Sequence, residues 1–281
     1  MALYEIVPNL SEGRDMRTID AAVAAVQAGG AQLLHRTSDA VHHRSVLTIV
    51  GNEAQLLEAA LALAGVACER IDLRTHRGVH PRIGALDVLP FIPLRGASME
   101  DAVRVAQVAG TRIWETYGIP VFFYGAAAST PARTALSHIR RGEFEGLEAR
   151  YADPALRPDI GSLPRHPSAG AVAIGAREIL VAFNIELATG NLAAARAIAR
   201  ALRQSGGGFQ TLRALAFQRT QDRVQVSLNV TDVAATPLAR ILETVRLLAA
   251  RYDISIARGE LIGCLPRQAV EDAARYYLGV P

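Results

Sequence analysis

Apolar positions in this chain recur with two spacings, and the alternation between them sketches the elements before any single residue is considered. Leu3 to Val7 predicts a short buried strand, ended by Pro8-Asn9. Apolar residues at 16, 19, 23 and 26 give the spacing of an amphipathic helix over 14–27. Ala31 to Leu34 and Ser45 to Val50 predict strands, with a polar loop from Arg36 to Arg44 between them. Asn52 is placed to cap a long helix running to Ile71. A strand is expected over Ala85 to Leu94, with Pro90 and Pro93 inside it. Ser98 then caps a helix to about Tyr117, with Glu100 and Asp101 in its first turn. Ile119 to Tyr124 predicts another strand, and Pro131 opens a helix.

From Ala152 to Gly170 the patterning stops. Four prolines and two glycines exclude regular structure, and so long an irregular stretch is expected to be functional, a linker, or both. Beyond it, Glu178 to Ile185 predicts a strand and Leu192 to Arg203 a helix. Gly206-Gly207-Gly208 leads into strands Leu212 to Phe217 and Val224 to Val230. Thr236-Pro237 caps a helix to Arg251, Ile254 to Ala257 is a strand, and Leu265-Pro266 starts a last helix ending at Leu278. Each half therefore reads β-α-β-β-α-β without any sequence repeat between them. The expected fold class is α/β (α+β), two ferredoxin-like subdomains over 1–178 and 179–281 with a ligand groove between them.

The densest chemistry lies in Arg74 to Asp87. Two histidines, three arginines and an aspartate fall within fourteen residues, and Gly78, Pro81 and Gly84 break the backbone among them. A polar loop between buried elements can hold titratable groups over a cleft. His80 precedes a proline, which biases it to an extended conformation. Its imidazole ordinarily titrates near neutrality, as a proton-transfer catalyst requires. A solvated loop histidine is the competing reading. A metal fits less well: Gly78 and Pro81 argue against the helix that His76 and His80 would need, and Arg74, Arg77 and Arg82 repel a cation. They suit an anionic ligand.

Composition narrows the classes further. The 281 residues are 50% hydrophobic and 20% charged, which describes a globular enzyme-sized chain. All 30 basic residues are arginine, so lysine Schiff-base and P-loop lysine chemistries are excluded. The net charge of +3 is mild and the arginines are interleaved with acids, so no nucleic-acid footprint stands out. No apolar run approaches a membrane span and no signal peptide is seen, which makes the cytoplasm the expected location. Cys68 and Cys264 lie far apart in apolar runs and are expected to be buried free thiols.

The motifs Val7-Pro8-Asn9-Leu10-Ser11-Glu12-Gly13, His80-Pro81-Arg82-Ile83-Gly84-Ala85-Leu86-Asp87 and Pro90-Phe91-Ile92-Pro93 occur in this order. Gly175-Ala176-Arg177, Ala182-Phe183-Asn184, Gln225-Val226-Ser227-Leu228-Asn229 and Asp272-Ala273-Ala274-Arg275-Tyr276-Tyr277 follow. As a set they resemble the formiminotransferase family, folate-dependent glutamate formimidoyltransferases of histidine degradation. The resemblance implies a homodimer with tetrahydrofolate as co-substrate and no metal. It also implies transfer of a formimidoyl group between N-formimidoyl-L-glutamate and N5 of the folate. The catalytic histidine falls on His80. Folate contacts fall on Gly161, Ser162, Leu163, Pro164, Arg165, His166, Pro167, Ser168, Ala169 and Gly170, and on Gly208. Asp39, Arg44 and Arg82 are possible supporting residues.

Glycine at these places is read as allowing close approach to a flat ligand. Valine at Gly161 or Gly208 is therefore expected to weaken folate binding with the melting temperature nearly unchanged. The chain departs from the family pattern at several positions. Thr37 stands where relatives carry an aspartate that assists the histidine, with Asp39 two residues along as a stand-in. His43 replaces an asparagine, Val79 a glutamate, and Glu186 a second asparagine after the fifth strand. These departures leave two alternatives beside the main reading: a formyl or formimidoyl transferase using another amine donor, or a non-catalytic folate-binding protein.

Overall fold

The computed structural model describes residues 2–162 and 165–280. The chain divides into two compact units, Met1–Glu178 and Ile179–Pro281. The first contains β1 (Tyr4–Ile6), β2 (Asn9–Leu10), α1 (Met16–Ala28), β3 (Gln32–Asp39), β4 (Arg44–Gly51), α2 (Glu53–Arg70) and β5 (Leu86–Pro93). After these come α3 (Met99–Tyr117), β6 (Val121–Gly125), α4 (Leu136–Ile139), α5 (Glu143–Arg150) and β7 (Val172–Ala176). β1 and β2 are two pieces of one edge-to-edge strand interrupted at Val7-Pro8, and both pair antiparallel with β4 and β5. With β3 on the outer side of β4, the first four positions run β3, β4, β1/β2, β5, which is the ferredoxin-like order of a β-α-β-β-α-β unit. The sheet then continues beyond that unit: β7 pairs parallel with β5, and β6 parallel with β7.

The helices form where their ends are satisfied. Asn52 accepts from the Gln55 amide while the Gln55 side chain returns a bond to the Asn52 backbone, a closed capping box at the start of α2. Ser98 and Asp101 do the same for α3, which ends at Gly118 in the left-handed region. Leu56, Ala59, Ala60, Leu63, Ala64 and Ala67 recur on one face of α2 and are buried. That face packs with Ile19, Val26, Val105 and Ile113 against Ile6, Leu47, Ile49, Leu89, Phe91 and Ile174 of the sheet.

The second unit contains β8 (Val181–Leu187), α6 (Leu192–Leu202), β9 (Leu212–Thr220), β10 (Arg223–Val230), α7 (Leu238–Ala250), β11 (Ile256–Ile262) and α8 (Arg267–Leu278). Its sheet runs β11, β8, β10, β9, antiparallel throughout, again the ferredoxin-like order. Val181, Ile185, Val226 and Leu228 meet Ile198, Leu202, Ile241 and Val245 in a core of its own. No helix among the described residues is long and apolar enough to cross a membrane.

Five expectations are corrected. β7 is absent from the sequence reading because Ala-Val-Ala-Ile-Gly-Ala is poor in strand-favouring residues; the strand is buried throughout between two parallel neighbours. Consequently 152–170 is no linker between the halves, since it lies inside the first unit and leads into β7. β3 continues through His35 to Asp39, where a polar loop was expected, because pairing with β4 carries an edge strand whose alternate residues face solvent. After Pro131 there is only a short 3₁₀ turn, followed by α4 and α5. Cys264 is exposed, in contrast to half-buried Cys68, and neither is in a disulfide.

Candidate active site

Register places a row of residues abreast across the first sheet: Thr37 faces Val46, Val46 faces Asn9, and Asn9 faces Val88. Arg44, two residues before Val46, shares that face, and its Nε donates to Asn9 Oδ1 at 3.0 Å. Asp87 is fully buried at the start of β5. An isolated carboxylate there would be costly, and the surroundings remove the isolation. Its Oδ1 accepts from the Ile83 amide at 2.8 Å, and its Oδ2 from Arg44 Nη1 at 2.8 Å. A third donor is Arg140, whose guanidinium reaches the same Oδ2 from just past α4. Burial pushes the Asp87 carboxyl up, but Arg140, Arg44 and the Ile83 amide outweigh it and hold it far below the usual carboxylate range. Arg44 is lowered to about 10, by burial first and by Arg140 as the repelling neighbour, with Asp87 pulling the other way.

His80 sits beside this trio. Its Nδ1 lies 2.8 Å from the Pro81 carbonyl, which can only accept, so Nδ1 carries the proton and the neutral ring presents a lone pair at Nε2. Its affinity for a second proton is well below that of a free imidazole. Enclosure is the main cause, followed by the charges of Arg44 and Arg140; Asp87 and the Pro81 carbonyl pull the other way. The His42 ring lies 5.9 Å from that of His80. Asp39 anchors the turn carrying His42, with its Oδ1 accepting from the Val41 and His42 amides at 2.8 Å each.

The other polar groups of the loop face a different way. Arg82 lines an open depression of about 420 Å3 together with His76, Arg77, Gly78, Gly142, Glu143 and Glu145. Its guanidinium donates to Glu143 at 3.0 Å, to Glu145 at 2.8 and 2.7 Å, and to His76 Nδ1 at 3.2 Å. Two carboxylates consume its charge, so it clamps α5 and is spoken for as an anion ligand. His76 passes the connection on, donating from Nε2 to the His43 carbonyl at 3.0 Å, and its ring stacks on His43 at 4.1 Å. His43 in turn reaches Glu12 Oε1 at 3.0 Å. The departure at position 43 thus has a structural partner in Glu12.

The 161–170 segment is laced to the His80 loop. Leu73 donates to the Ser168 carbonyl at 2.9 Å, Ala85 to that of Ala169 at 2.9 Å, and Ala171 to that of Ile83 at 3.0 Å. His166 Nδ1 accepts from the Ala169 amide at 3.0 Å, closing the turn. Arg165 lies 4.2 Å over the Phe144 ring and 3.1 Å from Glu148. Gly161, Ser162 and Pro167 are exposed, whereas Ala169 and Gly170 are buried. The expectations at Leu163 and Pro164 lie outside the described residues.

Glycine in these places answers to the fold. A Cβ on Gly170, at φ 72°, would overlap the Ile83 carbonyl, and one on Gly161 would lie 2.8 Å from Trp114. Gly208 belongs to the second unit, where a Cβ would overlap the carbonyls of Leu202 and Ala201 at the end of α6. The expectation that valine at Gly161 or Gly208 leaves stability nearly unchanged is therefore corrected.

Sequence reasoning missed Arg140, Glu143 and Glu145. The available signal was Asp87 itself, an acid at the head of an apolar strand, which requires a buried cationic partner. Arg44 met half of that requirement, and nothing marked Arg140 for the rest.

The fold and this site meet in one class. Residues 3–177 match the family model described as formiminotransferase domain, N-terminal subdomain, and residues 182–280 match the formiminotransferase domain. The chain belongs to the formiminotransferase family. It is 40% identical over 281 residues to the glutamate formimidoyltransferase of Streptococcus pyogenes serotype M1, covering 99% of this chain and 94% of that one. It is 42% identical over 288 residues to the enzyme of the same name from Thermoplasma acidophilum, covering 99% and 93%. To the formimidoyltransferase-cyclodeaminase of Mus musculus it is 39% identical over 283 residues, covering 98% of this chain but 52% of that one.

Proposed function

We propose that this chain is a glutamate formimidoyltransferase, moving a formimidoyl group between N-formimidoyl-L-glutamate and tetrahydrofolate in histidine degradation. The observation that carries the reading is His80: a neutral imidazole with a fixed tautomer, beside two guanidiniums, in a chain alike to such enzymes along its whole length. In the forward step, N5 of tetrahydrofolate bonds to the formimidoyl carbon. His80 Nε2 takes the N5 proton as the tetrahedral carbon forms. When the bond to the glutamate nitrogen breaks, the same proton passes to that nitrogen, releasing glutamate and 5-formimidoyl-tetrahydrofolate. Neighbouring cations keep the imidazole neutral, and therefore able to accept, before substrate arrives.

Tetrahydrofolate contacts are assigned to the described part of 161–170. Its backbone bonds to residues 73 and 85, with that of adjacent Ala171 to residue 83, support the assignment, because they tie the segment to the loop that carries His80. Gly208 is kept as a separate candidate contact. The family resemblance favours a cytoplasmic homodimer, which sedimentation of the purified chain would check.

The direct test mixes the purified protein with tetrahydrofolate and N-formimidoyl-L-glutamate and follows the folate product by absorbance. Turnover by wild type is expected. His80→Ala should lose a hundredfold or more in kcat, the usual scale for removing a general acid–base, while binding tetrahydrofolate about as well. Wild-type turnover that survives His80→Ala unchanged removes His80 from the chemistry. No turnover with this donor, but turnover with another amine in a panel, would reassign the donor.

A further inference from the structure

Arg44, Asp87 and Arg140 hold more positive charge than they use among themselves. Two guanidiniums share one carboxylate, so the cluster keeps one net positive charge in a largely enclosed place. The Arg44 side chain is 7% exposed, that of Arg140 14%, and that of Asp87 is fully buried. Arg140 Nε is buried with no hydrogen-bond partner among the described residues. A buried donor left unmet costs free energy, so a site that leaves one is short of an acceptor. The missing acceptor must be anionic to balance the charge as well. A carboxylate meets both needs, because its two oxygens match the planar fork of a guanidinium.

Two tethers bring the cluster to His80. The Ile83 amide on Asp87 is three residues from His80, and His42, whose ring faces that of His80, is two residues from Arg44. An anion bound there is therefore next to the proton-transferring ring. In a formimidoyl amino acid only one carboxylate lies that near the reacting nitrogen, the one on the carbon that bears it. We propose that Arg44 and Arg140, aligned by Asp87, form the seat for the donor's α-carboxylate. The proposal rests on the transferase reading above and specifies which end of the donor faces His80. Asp87 acts as a positioning residue, since it orients both forks without touching the donor.

The seat also gives binding a chemical consequence. A carboxylate placed between the guanidiniums offsets the charges that repel a proton from His80. The groups facing that ring are Arg44, Arg140, Asp87 and His42. The bound imidazole thus becomes the better base, as removal of the N5 proton requires.

The test is titration calorimetry of the full chain, with tetrahydrofolate present, against L-glutamate, its α-amide and L-glutamine. Wild type should bind glutamate at least tenfold more tightly than the α-amide, with a smaller loss for glutamine, whose amide is at the γ position. Arg140→Gln should lose the discrimination against the α-amide, and Arg140→Lys should keep part of it. Exposed Arg36→Gln should behave as wild type. In Arg140→Gln, His80 should also titrate at higher pH by NMR in the free protein, whereas in Arg140→Lys, which keeps the charge, it should stay near the wild-type value. Should Arg140→Gln fail to fold, Arg140→Lys and the wild-type ligand series decide the question. Equal wild-type affinity for glutamate and its α-amide, or no binding of either, overturns the seat. Discrimination by a wild-type protein that transfers nothing from N-formimidoyl-L-glutamate keeps the seat and overturns the transferase reading.

Discussion

At His80 the structure changes the expected pH behaviour. A free imidazole titrates near 6.5, which would place an activity limb near neutrality. Enclosure, Arg44 and Arg140 lower it well below that value. The acid limb of kcat/KM, which reports the free enzyme, is therefore expected below pH 6.5. The sign for stability follows from the same shift. The unfolded chain takes up a proton near its ordinary pKa while folded His80 does not. His80 thus favours unfolding increasingly as pH falls from 6.5 towards the folded pKa, and contributes no such loss above it. A pH–rate profile with its acid limb at or above 7 would contradict the arrangement of charges. Thr37→Asp, on the same sheet face as Arg44, should move that limb upward by favouring the charged ring. His80 was legible because its motif is local. Arg140 was not, because its partner Asp87 is 53 residues away in sequence.

Among the elements, the long capped helices are legible in the sequence, whereas the helix expected from Pro131 and several strands are not. The caps of α2 and α3 are local hydrogen bonds between residues three apart, so the sequence displays them directly. β7 is held by neighbours on both sides, and its alanines and glycine carry little signal of their own. The polar end of β3 is likewise set by β4. The glycines of the 161–170 segment misled in another way, because a residue required for backbone fit looks the same in sequence as one cleared for a ligand. Gly208→Ala should accordingly destabilise the protein by about 1–3 kcal/mol, lowering the thermal midpoint by several degrees. A melting curve superimposable on that of wild type would show that α6 yields to the added methyl group.

Across the whole molecule, the repeated β-α-β-β-α-β order was legible because it needs only the sequence of elements. The two parallel strands added to the first sheet were not, because they depend on which strands become neighbours. Each unit encloses its own core. The chain has a single tryptophan, Trp114, half-buried on α3 in the first unit. Gly161 fits against its ring so closely that a Cβ there would lie 2.8 Å from Cε3 and 2.9 Å from Cζ3. The molecule therefore carries an optical probe pressed against the segment assigned to folate. Saturation with tetrahydrofolate should shift the emission maximum and lifetime of Trp114, with a midpoint equal to the calorimetric Kd. His80→Ala should give the same signal, because the probe senses occupancy and is indifferent to proton transfer. An unchanged lifetime at full calorimetric saturation would move the folate away from Gly161. With one tryptophan in the whole sequence, emission excited at the red edge of its absorption, where the seven tyrosines do not absorb, comes from that contact alone.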